Sequence, residues 1–329
     1  MCLQGVDLRA LTEFELLGKL FDTKQPQIFA ELAVSGEGAD WNLTELGLLG
    51  DVSIAVPVTI FDDGNHQTPT PHDHPFSGTL LFTPGALLRN GRGKTPADWN
   101  ETTTKDGQLS TEGYYNLYLR RLLPVFRYVN FHAAKPRTAF VTMPGLGCGQ
   151  FAGPFRGQLG SKLQAVLERF LTEHAASFPN LKAVYYDPYS AGQNARFEIH
   201  GVSLMVRPLS IPGNQKKSQL CPPVGYTEHG DDFSGCSLYS FVAWDHVSWP
   251  GNDFFSGSRT TDDGVKAAAT NSMSVLTGVQ GQYDPVHGKY QPPHPYKTWN
   301  EVVGDCIRKR GLRLWHPRAV WKSLGLTGC

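Results

Sequence analysis

Two stretches of the chain combine residue types and spacing that suit chemistry on a charged ligand. The first is Pro144-Gly145-Leu146-Gly147-Cys148-Gly149-Gln150-Phe151-Ala152-Gly153, between a predicted strand and a predicted helix. Glycines there let backbone N–H groups approach an anion, and a helix start adds partial positive charge. Phosphate or diphosphate is the natural ligand. Gly147-x-Gly149-x-x-Ala152 only approximates a dinucleotide fingerprint, and no acid stands clearly at the end of the following strand. A ligand-free strand-to-helix turn would use the same glycines. Cys148 is not read as a nucleophile, because no Cys-His pairing is visible and its flanks do not form a nucleophile elbow.

The second stretch runs from Trp244 to Gly264 and places Asp245, Asp253, Asp262 and Asp263 after a strand that reads as buried. An aspartate at a helix start accepts backbone N–H bonds and offsets the helix dipole, and that capping role is the preferred one for Asp262. Asp245 and Asp253 lie among Gly, Pro, Trp and Phe, where apolar rings lower the local dielectric around a carboxylate. Such a loop suits a sugar or a cation. Backbone amides for a diphosphate and carboxylates for a ribose together fit ADP-ribose. Cleaving its glycosidic bond passes through an oxocarbenium-like state, which carboxylates stabilise while one of them positions water. Adenine needs an apolar platform, for which Tyr186, Tyr189 and Phe151 are candidates.

Strands and helices must bring these loops together. The β-branched run Ser53–Phe61 predicts a buried strand, followed by a turn at Asp63-Gly64-Asn65 and a loop rich in proline and histidine. Helical spacing of Tyr115, Leu119, Leu122, Phe126 and Val129 predicts a helix over 111–133 with a kink at Pro124. Thr138–Met143, Gly160–Ala176 and Lys182–Tyr186 then read as strand, helix and strand, a βαβ unit around the glycine loop. Strand patterns follow over Phe197–Leu209 and Cys236–Trp244, then a helix from about Asp263 to Leu276. Helices are also expected over Leu11–Phe21 and in the tail from Tyr296.

These residues resemble a known family. Ala139–Tyr186 is similar to the phosphate-loop region of macrodomains, and Gly147-Cys148-Gly149-Gln150-Phe151 to the loop of poly-ADP-ribose glycohydrolases. Within that superfamily the chain most resembles the MavL-like macrodomain ADP-ribosylhydrolases. The likeness rests on Trp244-Asp245, on Ser248-Trp249-Pro250-Gly251-Asn252-Asp253, on Gly257 through Ala269, and on Phe82-Thr83-Pro84-Gly85-Ala86-Leu87-Leu88 upstream. The resemblance implies removal of single ADP-ribose units from arginine side chains, with Asp245, Asp253 and Asp263 as the functional acids. The residues and the resemblance together give Gly147, Cys148, Gly149, Gln150, Phe151, Trp249, Gly251, Asn252 and Tyr189 as the candidate ADP-ribose-binding residues. Two departures from ordinary macrodomains stand out: the phosphate loop precedes the acidic loop, and Pro250-Gly251-Asn252-Asp253 replaces the usual glycine run.

The implied fold is α/β, a macrodomain-like three-layer α/β/α sandwich with a mixed central sheet and permuted loop order. Residues 1–50 would be an N-terminal helical extension, 51–295 the catalytic core, and 296–329 a C-terminal helical extension packed on the core. The expected partners are a mono-ADP-ribosylated protein and ADP-ribose, with no further cofactor and no metal.

Composition narrows the rival functions. Thirty Lys+Arg balance thirty Asp+Glu, so no net field favours nucleic acid or an anionic membrane. No apolar run reaches a membrane span, and charged residues interrupt the first twenty positions, so the expectation is a cytoplasmic protein, or one delivered to a host cytosol if it is an effector. Six cysteines without a CxxC pair indicate neither a disulfide scaffold nor a zinc finger. His72-Asp73-His74 has the look of a metal pair, and a polar proline-rich loop explains it equally well. Two alternatives remain at this stage: a reader that binds ADP-ribose without cleaving it, and a magnesium-dependent ADP-ribosylhydrolase or phosphoesterase built on the acidic cluster.

Overall fold

The alternation of apolar side chains already dictates a sheet covered on both faces. Phe140 faces one buried cluster while Ala139, Val141 and Met143, its neighbours along the strand, face another. That is the period-two pattern of a central strand between two helical layers. The computed structural model describes residues 5–12, 15–16, 50–89, 95–133, 138–244, 250–251, 254 and 259–310.

Its main strands are β1 (Ile54–Asp62), β2 (Pro71–Pro84), β3 (Thr138–Pro144), β4 (Leu181–Asp187), β5 (Ala195–Ile199), β6 (Val202–Val206) and β7 (Cys236–Trp244). They form one sheet in the order β1-β2-β7-β3-β4-β6-β5. The five inner strands run parallel, and β1 and β5 close the two edges antiparallel. Helices α1 (Thr111–His132) and α2 (Leu159–His174) cover one face. The other carries α3 (Asp262–Ala269), α4 (Ser272–Thr277) and α5 (Trp299–Arg310), with a small hairpin of β8 (Gln282–Asp284) and β9 (Lys289–Gln291). The fold is thus the expected three-layer sandwich with a mixed sheet. Trp299, Val302 and Val303 of α5 are buried in the same cluster as Ile54, Val56 and Phe82.

Three local expectations need correction. The proline- and histidine-rich segment after Asn65 is in part the first half of β2, which there pairs only with β1. A strand with one free side tolerates Pro71 and Pro75, whose missing N–H groups would break a central ladder. The run Phe197–Leu209 is not one strand but part of the β5–β6 hairpin, turned at His200 and Gly201 with φ of 50° and 81°. Two successive positive φ values give the turn twist that suits a tight hairpin. The helix expected over Asp263–Leu276 is two, because Thr270 is extended (φ −135°, ψ 169°) and bridges to Ile60.

Of the helix expected over Leu11–Phe21, Glu15 and Leu16 are helical, and most of the remainder lies outside the described residues. No helix among the described residues is long and apolar enough to cross a membrane.

Candidate functional site

Because the inner strands are parallel, the carboxyl ends of β2, β7, β3 and β4 share one edge of the sheet, the place where open α/β sheets collect ligand-binding loops. A cleft of about 570 Å³ opens there, within the range of small-ligand sites. Its walls include the whole run Gly147–Phe151 after β3, Asp187 to Ala191 after β4, Ala243 and Trp244 at the end of β7, and Thr261 and Asp262 before α3.

The glycine loop is held from behind by the Phe82–Leu88 segment. A Cβ on Gly85 would lie 2.1 Å from the Gly147 nitrogen, and Gly147 itself has φ of 68°, so neither position accepts a side chain. Leu88 N–H donates to the Phe151 carbonyl at 2.9 Å. Tyr118 donates to the Leu146 carbonyl at 2.6 Å and accepts from Ala86 N–H at 3.1 Å. Buried Arg121 donates to the Gly85 carbonyl at 2.7 Å and pairs with Asp98 at 2.9 Å, while Asp98 also accepts from Leu87 N–H at 2.7 Å. This scaffold fixes the loop's backbone.

The N–H groups of Gly149, Gln150 and Phe151 have no partner among the described residues. Beside them α2 begins without a side-chain cap and without an acid in its first turn, and Gly157 and Gly160 at its start line the cleft. Unsatisfied N–H groups and the positive end of the dipole make this an anion site. Arg156, exposed at the same wall, adds a cation. Cys148 also lines the cleft, but burial pushes its thiol up to about 12, which fits the rejection of a nucleophilic role.

At the end of β4 stands Asp187, the strand-end acid that sequence reasoning did not find. Its carboxylate accepts from the N–H groups of Tyr189 at 2.7 Å and Leu209 at 2.8 Å. Burial nevertheless holds its carboxyl above the usual range, against the opposing pull of those bonds. Tyr189 has φ of 60° and is 64% exposed at the cleft wall. Of the three aromatic candidates, Tyr186 is fully buried and donates to the Gly160 carbonyl at 2.9 Å, so it is a core residue; Phe151 and Tyr189 line the cleft.

The α3 start separates the two neighbouring acids. Thr261, not Asp262, caps the helix by accepting from Gly264 N–H at 3.1 Å. Asp262 lines the cleft, accepting from Ala243 N–H at 2.8 Å and from Lys266 Nζ at 2.9 Å. Asp263 is buried and does not line it; its carboxylate accepts from Gly251 N–H at 2.9 Å. Gly251 is itself buried with φ of 82°, and a Cβ there would lie 2.8 Å from Met273 Sδ. Arg259, at the end of the acidic loop, is clamped to Asp62 through two bonds of 2.6 and 3.1 Å. His66, on the turn after β1, reaches the cleft as well, with Nδ1 3.3 Å from the Thr260 carbonyl.

Asp245, Asp253, Trp249 and Asn252 lie outside the described residues. His72 bonds the Leu220 carbonyl through Nε2 at 2.9 Å, and among the described residues no group of three or more His, Cys, Asp or Glu is placed to hold a metal ion. Asp187, His66, Arg156, Gln219 and Asp262 are among the cleft residues that sequence reasoning missed or assigned elsewhere; only their approach in space marks them.

An anion loop braced by a second loop, opposite an acid-bearing helix start on a mixed sheet in a three-layer sandwich, agrees with the family model that places the chain among the macrodomains, a class that binds ADP-ribose or hydrolyses its linkages. More narrowly, the chain belongs to the family described as macrodomain effector MavL, whose family model matches residues 1–296. Comparison with individual curated proteins gives no match.

Proposed function

We propose that this protein is a mono-ADP-ribosylhydrolase that cleaves the N-glycosidic bond between ADP-ribose and arginine side chains of modified proteins. The observation that carries the reading is the polarity of the cleft: N–H groups without a partner among the described residues and the α2 start on one wall, Trp244 and Asp262 on the other. The diphosphate would sit on the Gly147–Phe151 loop, adenine against Tyr189, and the distal ribose toward the acidic loop that carries Asp245 and Asp253.

In the reaction, water adds to the anomeric carbon as the bond to the guanidine nitrogen breaks. The electron pair leaves with that nitrogen, and a carboxylate takes the proton from water. Asp245, Asp253 and Asp263 are the acids proposed for this machinery, Asp263 acting at least through its hold on Gly251. A carboxylate cluster pairs with a planar guanidinium and finds neither charge nor N–H donors on a neutral ester-linked side chain, which supports the arginine preference.

The test is ADP-ribose release from arginine-, serine- and glutamate-modified peptides in parallel, with and without EDTA. Release from the arginine peptide alone, unaffected by the chelator and lost in Asp253→Asn while ADP-ribose still binds, is the expected result. Binding without release from any linkage would make the protein a reader, and loss with EDTA would move the chemistry to a metal.

A further inference from the structure

Lys266 lies one helical turn after Asp262, and its side chain is 1% exposed. Three acceptors surround its Nζ: Asp262 Oδ1 at 2.9 Å, Gln219 Oε1 at 2.8 Å and the Phe241 carbonyl. An ammonium has three donors and no acceptor, so this shell is built for the charged form. Burial lowers the proton affinity of Lys266, and the nearby Asp262, Asp187 and Asp263 oppose that effect. Gln219 continues the network, its Nε2 donating toward Asp187 Oδ2 at 3.4 Å.

One buried cation therefore underlies both carboxylates that line the cleft among the described residues, Asp187 and Asp262. A ligand carrying a diphosphate has to enter beside them. Two like charges repel several times more strongly at the effective dielectric of a protein surface than in water. Without a compensating cation the acidic wall would oppose the ligand that the glycine loop attracts.

We propose that Lys266 is a positioning residue that neutralises the carboxylate wall of the cleft, holding the Asp262 side chain in place at the cleft while allowing a diphosphate anion to bind beside it. This rests on the ADP-ribose reading and adds to it the group that lets one cleft combine carboxylates with an anionic ligand. The charged and titratable groups that share the cleft with Asp262 are Asp187 at the end of β4, Tyr189 after it, His66 on the β1–β2 turn, Cys148 in the glycine loop and Arg156 before α2, and Lys266 and Asp263 neighbour it on α3. His66 lines the same cleft in every variant, so each variant is compared with the native protein at the same pH.

The experiment is calorimetric titration with ADP-ribose of the native chain, Lys266→Met, Asp262→Asn and the double variant, at about pH 8 and about pH 5.5, with folding checked by circular dichroism. Lys266→Met should bind at least about tenfold more weakly at the higher pH and regain affinity at the lower, as the uncompensated carboxylate takes up a proton. The double variant keeps the net charge of the native wall and should bind within about threefold of native at both pH values. If Lys266→Met does not fold, native-like binding by the double variant supports the proposal on its own. Double-variant binding as weak as that of Lys266→Met, weak binding by a folded double variant alone, or a pH-independent loss in Lys266→Met would overturn it. Absence of ADP-ribose binding by the native chain would instead remove the underlying ligand reading, and this inference with it.

Discussion

Gly85 and Gly147 meet backbone to backbone, so closely that a Cβ on either would overlap the other segment: 2.1 Å from the Gly147 nitrogen in one case, 2.6 Å from the Ala86 nitrogen in the other. The loop proposed to hold a diphosphate is therefore shaped by a second loop that follows a different strand. Glycines in the same run serve different ends, since nothing lies within 4 Å of a Cβ built on Gly149.

That contrast gives a paired test. Gly147→Ala should lower stability by about 1–3 kcal/mol in urea denaturation, from the positive φ and the clash together. Gly149→Val should leave the urea midpoint unchanged and weaken ADP-ribose binding by about tenfold or more, because its side chain fills ligand space. Equal effects of both variants on stability would contradict the assignment of roles.

Arg121 Nη2 donates to both carboxylate oxygens of Asp98, a buried ion pair behind the glycine loop. Arg121→Met removes a buried cation from beside Asp98 and should cost about 3–5 kcal/mol of unfolding free energy. Adding Asp98→Asn should restore part of the loss, measured as the coupling in a double-mutant cycle.

Tyr189 presents an exposed ring at the cleft wall. If adenine stacks there, Tyr189→Ala should cost about 1–3 kcal/mol of ADP-ribose affinity, with little change in thermal stability since tyrosine and alanine share the same strained backbone. Unchanged affinity in calorimetry would place the base elsewhere.

Cys148 should resist alkylation. Its thiol is held up to about 12 by burial, so the neutral form dominates at ordinary pH and the thiolate fraction grows only as pH rises toward that value. Peptide mapping after iodoacetamide treatment should find Cys148 unmodified at about pH 8, with labelling that increases through about pH 10 without a plateau. Cys148→Ser should keep the proposed hydrolytic activity; loss of that activity together with ready labelling at neutral pH would revive the nucleophile reading.

Much was determined by the order of residues alone. Period-two and helical patterns set β1, β3, β4, β7, α1 and α2, because strands and helices covered on defined faces leave their periodicity in the chain. The glycine loop was legible for the same local reason, as was the acidic character of the segment after β7. Tertiary structure decided the rest. Asp262 and Asp263 are neighbours of one type, and only the position of Ala243 N–H, Lys266 and Gly251 N–H sends one to the cleft and the other into the loop's anchor. Asp187 at the end of β4, Gln219 from a distant turn and Lys266 on α3 carry no mark of common purpose along the chain. Parallel strand pairing brings their segments to one edge, and a buried ammonium needing three acceptors joins them.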